Sequence, residues 1–99
     1  MALQTFKDGD RLIEMRQRFI KNFELMIAAS VLMDAADYDL NVGRDSLILF
    51  RDKAEALMVL AGTDLTVSTL SPIVDGDRIY TLREKFNTNF ALLNAVAGA

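Results

Sequence analysis

The chain repeats part of itself, and that repetition constrains its fold more than any other feature. Residues 8–29 read DGDRLIEMRQRFIKNFELMIAA, and residues 75–96 read DGDRIYTLREKFNTNFALLNAV. Aligned without a gap, ten of the 22 positions are identical: Asp8/Asp75, Gly9/Gly76, Asp10/Asp77, Arg11/Arg78, Arg16/Arg83, Phe19/Phe86, Asn22/Asn89, Phe23/Phe90, Leu25/Leu92 and Ala28/Ala95. At ordinary residue frequencies about one or two matches are expected by chance. Leu12/Ile79, Met15/Leu82, Arg18/Lys85 and Met26/Leu93 are conservative pairs. Repetition exposes the structural unit, here a helix with a polar entry and a patterned apolar seam.

Asp10 and Asp77 are expected as N-caps, because an Asp side chain accepts from first-turn N–H groups and its charge suits the helix dipole. Gly9 and Gly76 allow an unusual entry angle. Thr81 to Glu84 also fits a capping box, so two starts for the last helix stay open. The first helix is expected from about Arg11 to Met33 or Ala36, followed by a connection over Asp34–Arg44. A second helix begins at Asp45 or Ser46. Its apolar residues Leu47, Phe50, Ala54, Leu57, Met58 and Ala61 stand at helical spacing, and Gly62 is placed to stop it. Thr63–Val74 is rich in β-favouring residues and contains Pro72, so an extended linker or short strand is expected. Asp75-Gly76 also suits a hairpin turn between Ile73–Val74 and Arg78–Tyr80. That reading ranks second, since the same tripeptide opens a helix at Asp8–Asp10. The last helix runs to about Val96, and Gly98 follows it. The expected fold is all-α and a single domain over residues 1–99: long N-terminal helix, central helix, extended linker, and a C-terminal helix repeating the first.

Leu12, Met15, Phe19, Asn22, Met26, Ala29 and Met33 fall at alternating spacings of three and four, as do Ile79, Leu82, Phe86, Asn89, Leu93 and Val96. This is the pattern of a coiled-coil seam or bundle face, widened by Phe23 and Phe90. The chain is 52% hydrophobic, and only Ser30 breaks the apolar run Leu25–Met33. A helix apolar on every side is hard to solubilise alone, so an oligomeric helical bundle is expected. Leu12, Phe19, Asn22, Phe23, Met26, Ile79, Leu82, Phe86, Asn89, Phe90 and Leu93 are then its interface. A buried Asn needs a partner or costs about 1–3 kcal/mol, and a symmetric oligomer brings the same Asn from each chain. On that reading Asn89→Leu keeps or raises stability while broadening the range of oligomers. The alternative places Asn22 and Asn89 at the rim, against water or a neighbouring loop.

Little chemistry is on offer. There is no cysteine and no histidine, which removes thiolate chemistry and the commonest acid/base and metal ligand. The net charge is −3 with signs interspersed. Arg11, Arg16, Arg18 and Lys21 read as a solvated helix flank, so no nucleic-acid partner is expected. The apolar run is too short to span a membrane, which takes about 20 residues. Lys7, Asp8 and Asp10 precede it, unlike a signal peptide. Asp37-x-Asp39-x-Asn41 imitates a calcium loop, but Val42 stands where Gly is required and Ile48 where Glu is required. Asp75, Asp77 and Glu84 have no nucleophile or base beside them. Neither Gly62 nor Gly76 belongs to a phosphate-binding loop. Met26 and Met33 are packing residues on the seam. No catalytic residue, metal or cofactor is expected, and the chain reads as a non-enzyme.

The second copy contains Gly76, Asp77, Ile79, Leu82, Lys85, Phe86, Asn87, Asn89, Phe90 and Leu93 as G-D-x-I-x-x-L-x-x-K-F-N-x-N-F-x-x-L. This resembles the GD-x-L…K-I-N-x-N-F helical segment of tailed-bacteriophage virion proteins, found near the particle-binding ends of tail fibres and tailspikes. The first copy keeps Gly9, Asp10, Leu12, Phe19, Asn22 and Phe23 but has Arg18 for the Lys and Lys21 beside the Asn. Residues 30–74 carry no resemblance. The resemblance implies a structural role, because such segments oligomerise, often as trimers, and attach a fibre to the particle. It points to a small adaptor of the tail, neck or fibre attachment, made in the host cytoplasm and resident in the virion. Its implied partners are its own copies, as a trimer or hexamer, and other virion proteins. The chain lacks the long β-rich shaft of a full fibre. The competing reading is a soluble helical regulatory or ligand-sequestering module. Its pocket would use the repeated Arg16 and Arg83, unless these pair at the surface with residues such as Glu14 or Asp52.

Overall fold

In a computed structural model, residues 3–34, 47–67, 70–74 and 76–97 are described. Among them are three helices and no strand, so the chain is all-α: α1 Leu12–Ala29, α2 Leu47–Asp64 and α3 Ile79–Ala97. The expected connection over residues 35–44, the start of the central helix at Asp45 or Ser46, and the Asp37–Asn41 loop lie outside the described residues.

Three boundaries differ from the sequence reading, each for a local reason. α1 stops at Ala29 rather than near Met33. Asp64, the last residue of α2, takes the Val31 N–H and holds the Ser30 side chain, while Ser30 Oγ accepts from Leu32 N–H at 3.3 Å. Those donors are thereby lost to the helix ladder. Gly62 does not end α2. It is buried inside the helix, where an added Cβ would lie 2.8 Å from Leu70 Cδ1. The stop is four residues later, at Thr66, the only described non-glycine residue with positive φ, at 62°. Val67 N–H reaches back to Gly62 O at 2.7 Å and Thr66 N–H to Thr63 O at 3.4 Å. That pair of bonds is the Schellman ending, built here without glycine. α3 begins two residues beyond Asp77, with Thr81 already inside the helix, so the later capping-box start is not used. Asp77 N–H closes a turn onto Val74 O at 3.3 Å and leads straight into the helix, which displaces the hairpin reading.

The core is aromatic and draws on every helix. Phe19 of α1 meets Phe50 of α2 edge-on at 6.1 Å and Phe86 of α3 at 5.6 Å. Phe86 and Phe90 stack at 6.0 Å. Phe6, from the non-helical segment before α1, stands edge-on to both, at 5.5 and 5.3 Å. Each such pair adds about 0.5–1.5 kcal/mol to ordinary apolar burial. α2 closes the remaining face with Ala54, Leu57, Met58 and Ala61, all essentially without exposure.

Candidate functional site

Each repeated helix belongs to a larger unit, an extended arm, a glycine turn and the helix itself. The first arm is residues 3–7 and the second is residues 70–74. Neither joins a sheet, so the arms' backbone polar groups need other partners. Side-chain amides supply them. Asn22 Oδ1 accepts from Gln4 N–H at 2.6 Å, and its Nδ2 donates to Gln4 O at 2.8 Å. Asn89 does the same to Ser71, at 2.7 and 3.1 Å. In both cases the clamped residue stands 18 positions upstream. An Asn side chain has the donor and acceptor of a peptide group, so one residue replaces a strand neighbour. Both amides are fully buried.

The turns repeat as closely. Asp10 N–H donates to Lys7 O at 3.0 Å, with Gly9 at φ +85°, and Gly76 has φ +90° in the second turn. A positive φ at that place in a turn favours glycine. Asp10 Oδ2 accepts from Lys7 N–H at 2.7 Å, and Asp77 Oδ2 from Val74 N–H at 3.1 Å, three residues back in each copy. Eight residues on, a cation completes the carboxylate: Arg18 donates to Asp10, and Lys85 to both oxygens of Asp77 at 3.1 and 2.9 Å. The Lys85 ammonium first, then the Val74 N–H, hold the Asp77 carboxyl below its usual range.

The expected role of Asp10 and Asp77 is therefore corrected. The N-cap of α1 is Arg11, which makes no side-chain cap bond, and its carbonyl accepts Met15 N–H at 3.0 Å. Arg78 O accepts Leu82 N–H in the same way at 2.8 Å. The aspartates close the preceding turn instead, because their oxygens are engaged there and by the cation.

The expected interface is also relocated. Phe19, Asn22, Phe23, Met26, Leu82, Phe86, Asn89, Phe90 and Leu93 are buried inside one chain. Leu12 packs at the margin of that core, and Ile79 is 36% exposed. The seam exists, but α2 and the two arms cover it, and Gln4 and Ser71 satisfy the amides that a second chain was expected to satisfy. The alternative that set both amides against a neighbouring loop is the nearer reading, although they are buried rather than at the rim. Upstream of Asp8 only Leu3 and Leu70 are identical among the five aligned arm positions, too little to extend the repeat into the arms from sequence.

Among the described residues no other cluster assembles into a reactive centre. No group of three acidic residues able to hold a metal occurs among the described residues. Of the Asp75, Asp77 and Glu84 set, Asp77 is held by Lys85, Glu84 is exposed and Asp75 lies outside the described residues. Of the repeated arginines, Arg83 donates from Nη1 to Asp10 O at 3.3 Å, while Arg83 Nε and Arg16 Nη1 are buried without a hydrogen-bond partner. No described helix is long and apolar enough to cross a membrane. No family model matches the chain, and neither a curated protein nor a solved structure does.

Proposed function

We propose that this chain is a small, non-enzymatic structural subunit of a tailed-phage particle, an adaptor at the tail, neck or fibre attachment. One observation carries the reading. Seven residues that match the phage segment are engaged in making the fold: Gly76 in the turn, Asp77 and Lys85 in the ion pair, Asn87 and Asn89 on the arms, Phe90 and Leu93 in the core. The motif is thus a recipe for a compact unit, and the chain uses it twice. With the core closed, assembly into a trimer or hexamer and docking to other virion proteins fall to the apolar side chains left outside. Among the described residues Val31, Ile48, Tyr80 and Ile13 are the most exposed of these, at 90, 58, 56 and 54%.

Light scattering on a sizing column, across a dilution series, tests the assembly. A discrete trimer or hexamer that survives dilution is the expected result. Mass spectrometry of purified particles tests the location, with the chain expected in fixed stoichiometry. A monomer at every concentration that is absent from particles would overturn the proposal.

A further inference from the structure

The three helices are buried in one pattern. Set from their first residues, α1 and α2 share only Leu12/Leu47, Ile13/Ile48, Arg16/Arg51 and Leu25/Leu60. The buried places coincide nonetheless. Met15, Phe19, Asn22, Phe23 and Met26 of α1 fall on Phe50, Ala54, Leu57, Met58 and Ala61 of α2, and on Leu82, Phe86, Asn89, Phe90 and Leu93 of α3, and every one is buried. Where Ala54 replaces a phenylalanine, Phe50 fills the gap from one turn earlier. Its ring meets Phe19 at 6.1 Å and Phe86 at 6.0 Å, and those two meet each other at 5.6 Å. The arginine that follows the first buried place is also used in one way. Arg83 of α3 donates Nη1 to Asp10 O at 3.3 Å, at the entry to α1, and Arg51 of α2 donates Nη1 to Asp77 O at 3.4 Å, at the entry to α3. One step therefore leads from α2 to α3 and from α3 to α1. Taken around a shared aromatic core, that head-to-tail step is a rotation that closes after three units.

A rotation keeps equivalent residues at one height on its axis. The most exposed large apolar residues of the described helices are equivalent: Ile48, Tyr80 and Ile13, at 58, 56 and 54%, each the second residue of its helix. The three helix N-termini lie at that same end. Arg11 and Arg78, exposed just before α1 and α3, add positive charge there. Of the nearby aspartates, Asp10 is paired with Arg18, Asp77 with Lys85, and Asp8 stands 3.9 Å from Arg83. The apolar trio is thus rimmed by charge that favours carboxylates on whatever meets it. We propose that the chain is a ring of three units, with α2 carrying the third, and that Ile13, Ile48 and Tyr80 are equivalent contacts for the end of a homotrimeric protein. Each partner chain presents one apolar side chain flanked by a carboxylate. One copy of this chain then seats on three copies of the partner, each making the same contact. The inference goes beyond the virion reading and does not depend on it, because it rests on the rotation.

Two measurements on the whole chain test this. The chain has no cysteine, so spin labels are placed through Ile13→Cys, Ile48→Cys and Tyr80→Cys taken in pairs. The three distances should coincide within the width of their distributions. A photo-reactive residue at position 13, 48 or 80, in the cells that naturally make the chain, should link all three positions to one segment of one protein, with three copies of it in the linked complex. Ile13→Asp, Ile48→Asp or Tyr80→Asp should each cut linking from the other two positions roughly tenfold. All three side chains are more than half exposed, so the fold tolerates the change. Three unequal distances would break the ring and overturn the proposal. Links to three unrelated segments, to a partner that is not trimeric, or to nothing would also overturn it. A trimeric partner outside any phage particle would uphold it and overturn the virion reading instead.

Discussion

Replacing Asn89 with Leu separates a clamp within the chain from a seam between chains, because the two give opposite signs. Asn89 is fully buried and holds Ser71 N–H at 2.7 Å and Ser71 O at 3.1 Å. Leucine has the same number of side-chain heavy atoms branched at Cγ and is the larger of the two, so no cavity opens, but both Ser71 groups lose their partner. A buried donor or acceptor left unpaired costs about 1–3 kcal/mol. Ser71 is only half-buried, so water takes up part of the loss, and the added apolar burial offsets a little more. A net loss of about 2 kcal/mol is the expectation. For a domain of this size that lowers the thermal midpoint by roughly 10 °C. Far-ultraviolet circular dichroism on heating reads the shift, and light scattering of the same samples reads the chain number. If Asn89 fixes register between chains, the midpoint holds or rises while the oligomer distribution broadens. An unchanged or higher midpoint would refute the clamp argument.

Two further substitutions probe the local chemistry. Thr66 is β-branched, exposed and left-handed at φ 62°, a conformation costing an L-residue about 1–2 kcal/mol. Thr66→Gly should therefore stabilise by about 1 kcal/mol after glycine's extra unfolded-state entropy, read as a higher urea midpoint; a lower midpoint would contradict the Schellman ending. Lys85 is the first cause of the lowered Asp77 carboxyl. A carboxyl depressed by folding contributes stability that is present above 3.8 and lost as pH falls through the folded value. The unmodified chain should thus lose more stability between about pH 4 and pH 2 than Lys85→Met does. Parallel urea titrations check this, and equal acid sensitivity would remove the ion pair from the account.

The helices were legible because their seams are long and periodic. All seam residues from Met15 to Met26, and from Leu82 to Leu93, are interior. What the pattern left open is who covers the seam. Periodicity reports that Phe19 and Phe86 face something apolar; it is silent on whether that is a second chain or α2. The helix ends were poorly legible for a related reason. Ser30 is held by Asp64 from another helix, and Thr66 takes a conformation usually given to glycine. Neither contact has a local sequence signature. The aspartates misled in a different way: Asp10 is beside the start of α1, but its oxygens face backward to Lys7 and across to Arg18.

The two asparagines show why a buried polar residue in a seam has two meanings. Between chains, an amide selects chain number through its own copies. Within a chain, the same amide docks a segment that has no strand to pair with. The deciding quantity is the distance along the chain to its partner. Both asparagines reach a peptide group 18 residues upstream, across a turn whose glycine and aspartate are themselves repeated. Arm, turn and helix are therefore fixed together. Loss of the arm would unpair the Asn amide, release the turn and uncover the phenylalanines that Phe6 covers. A unit bound in this way presents its neighbours with a closed core, so any assembly it enters must be built from its outer face.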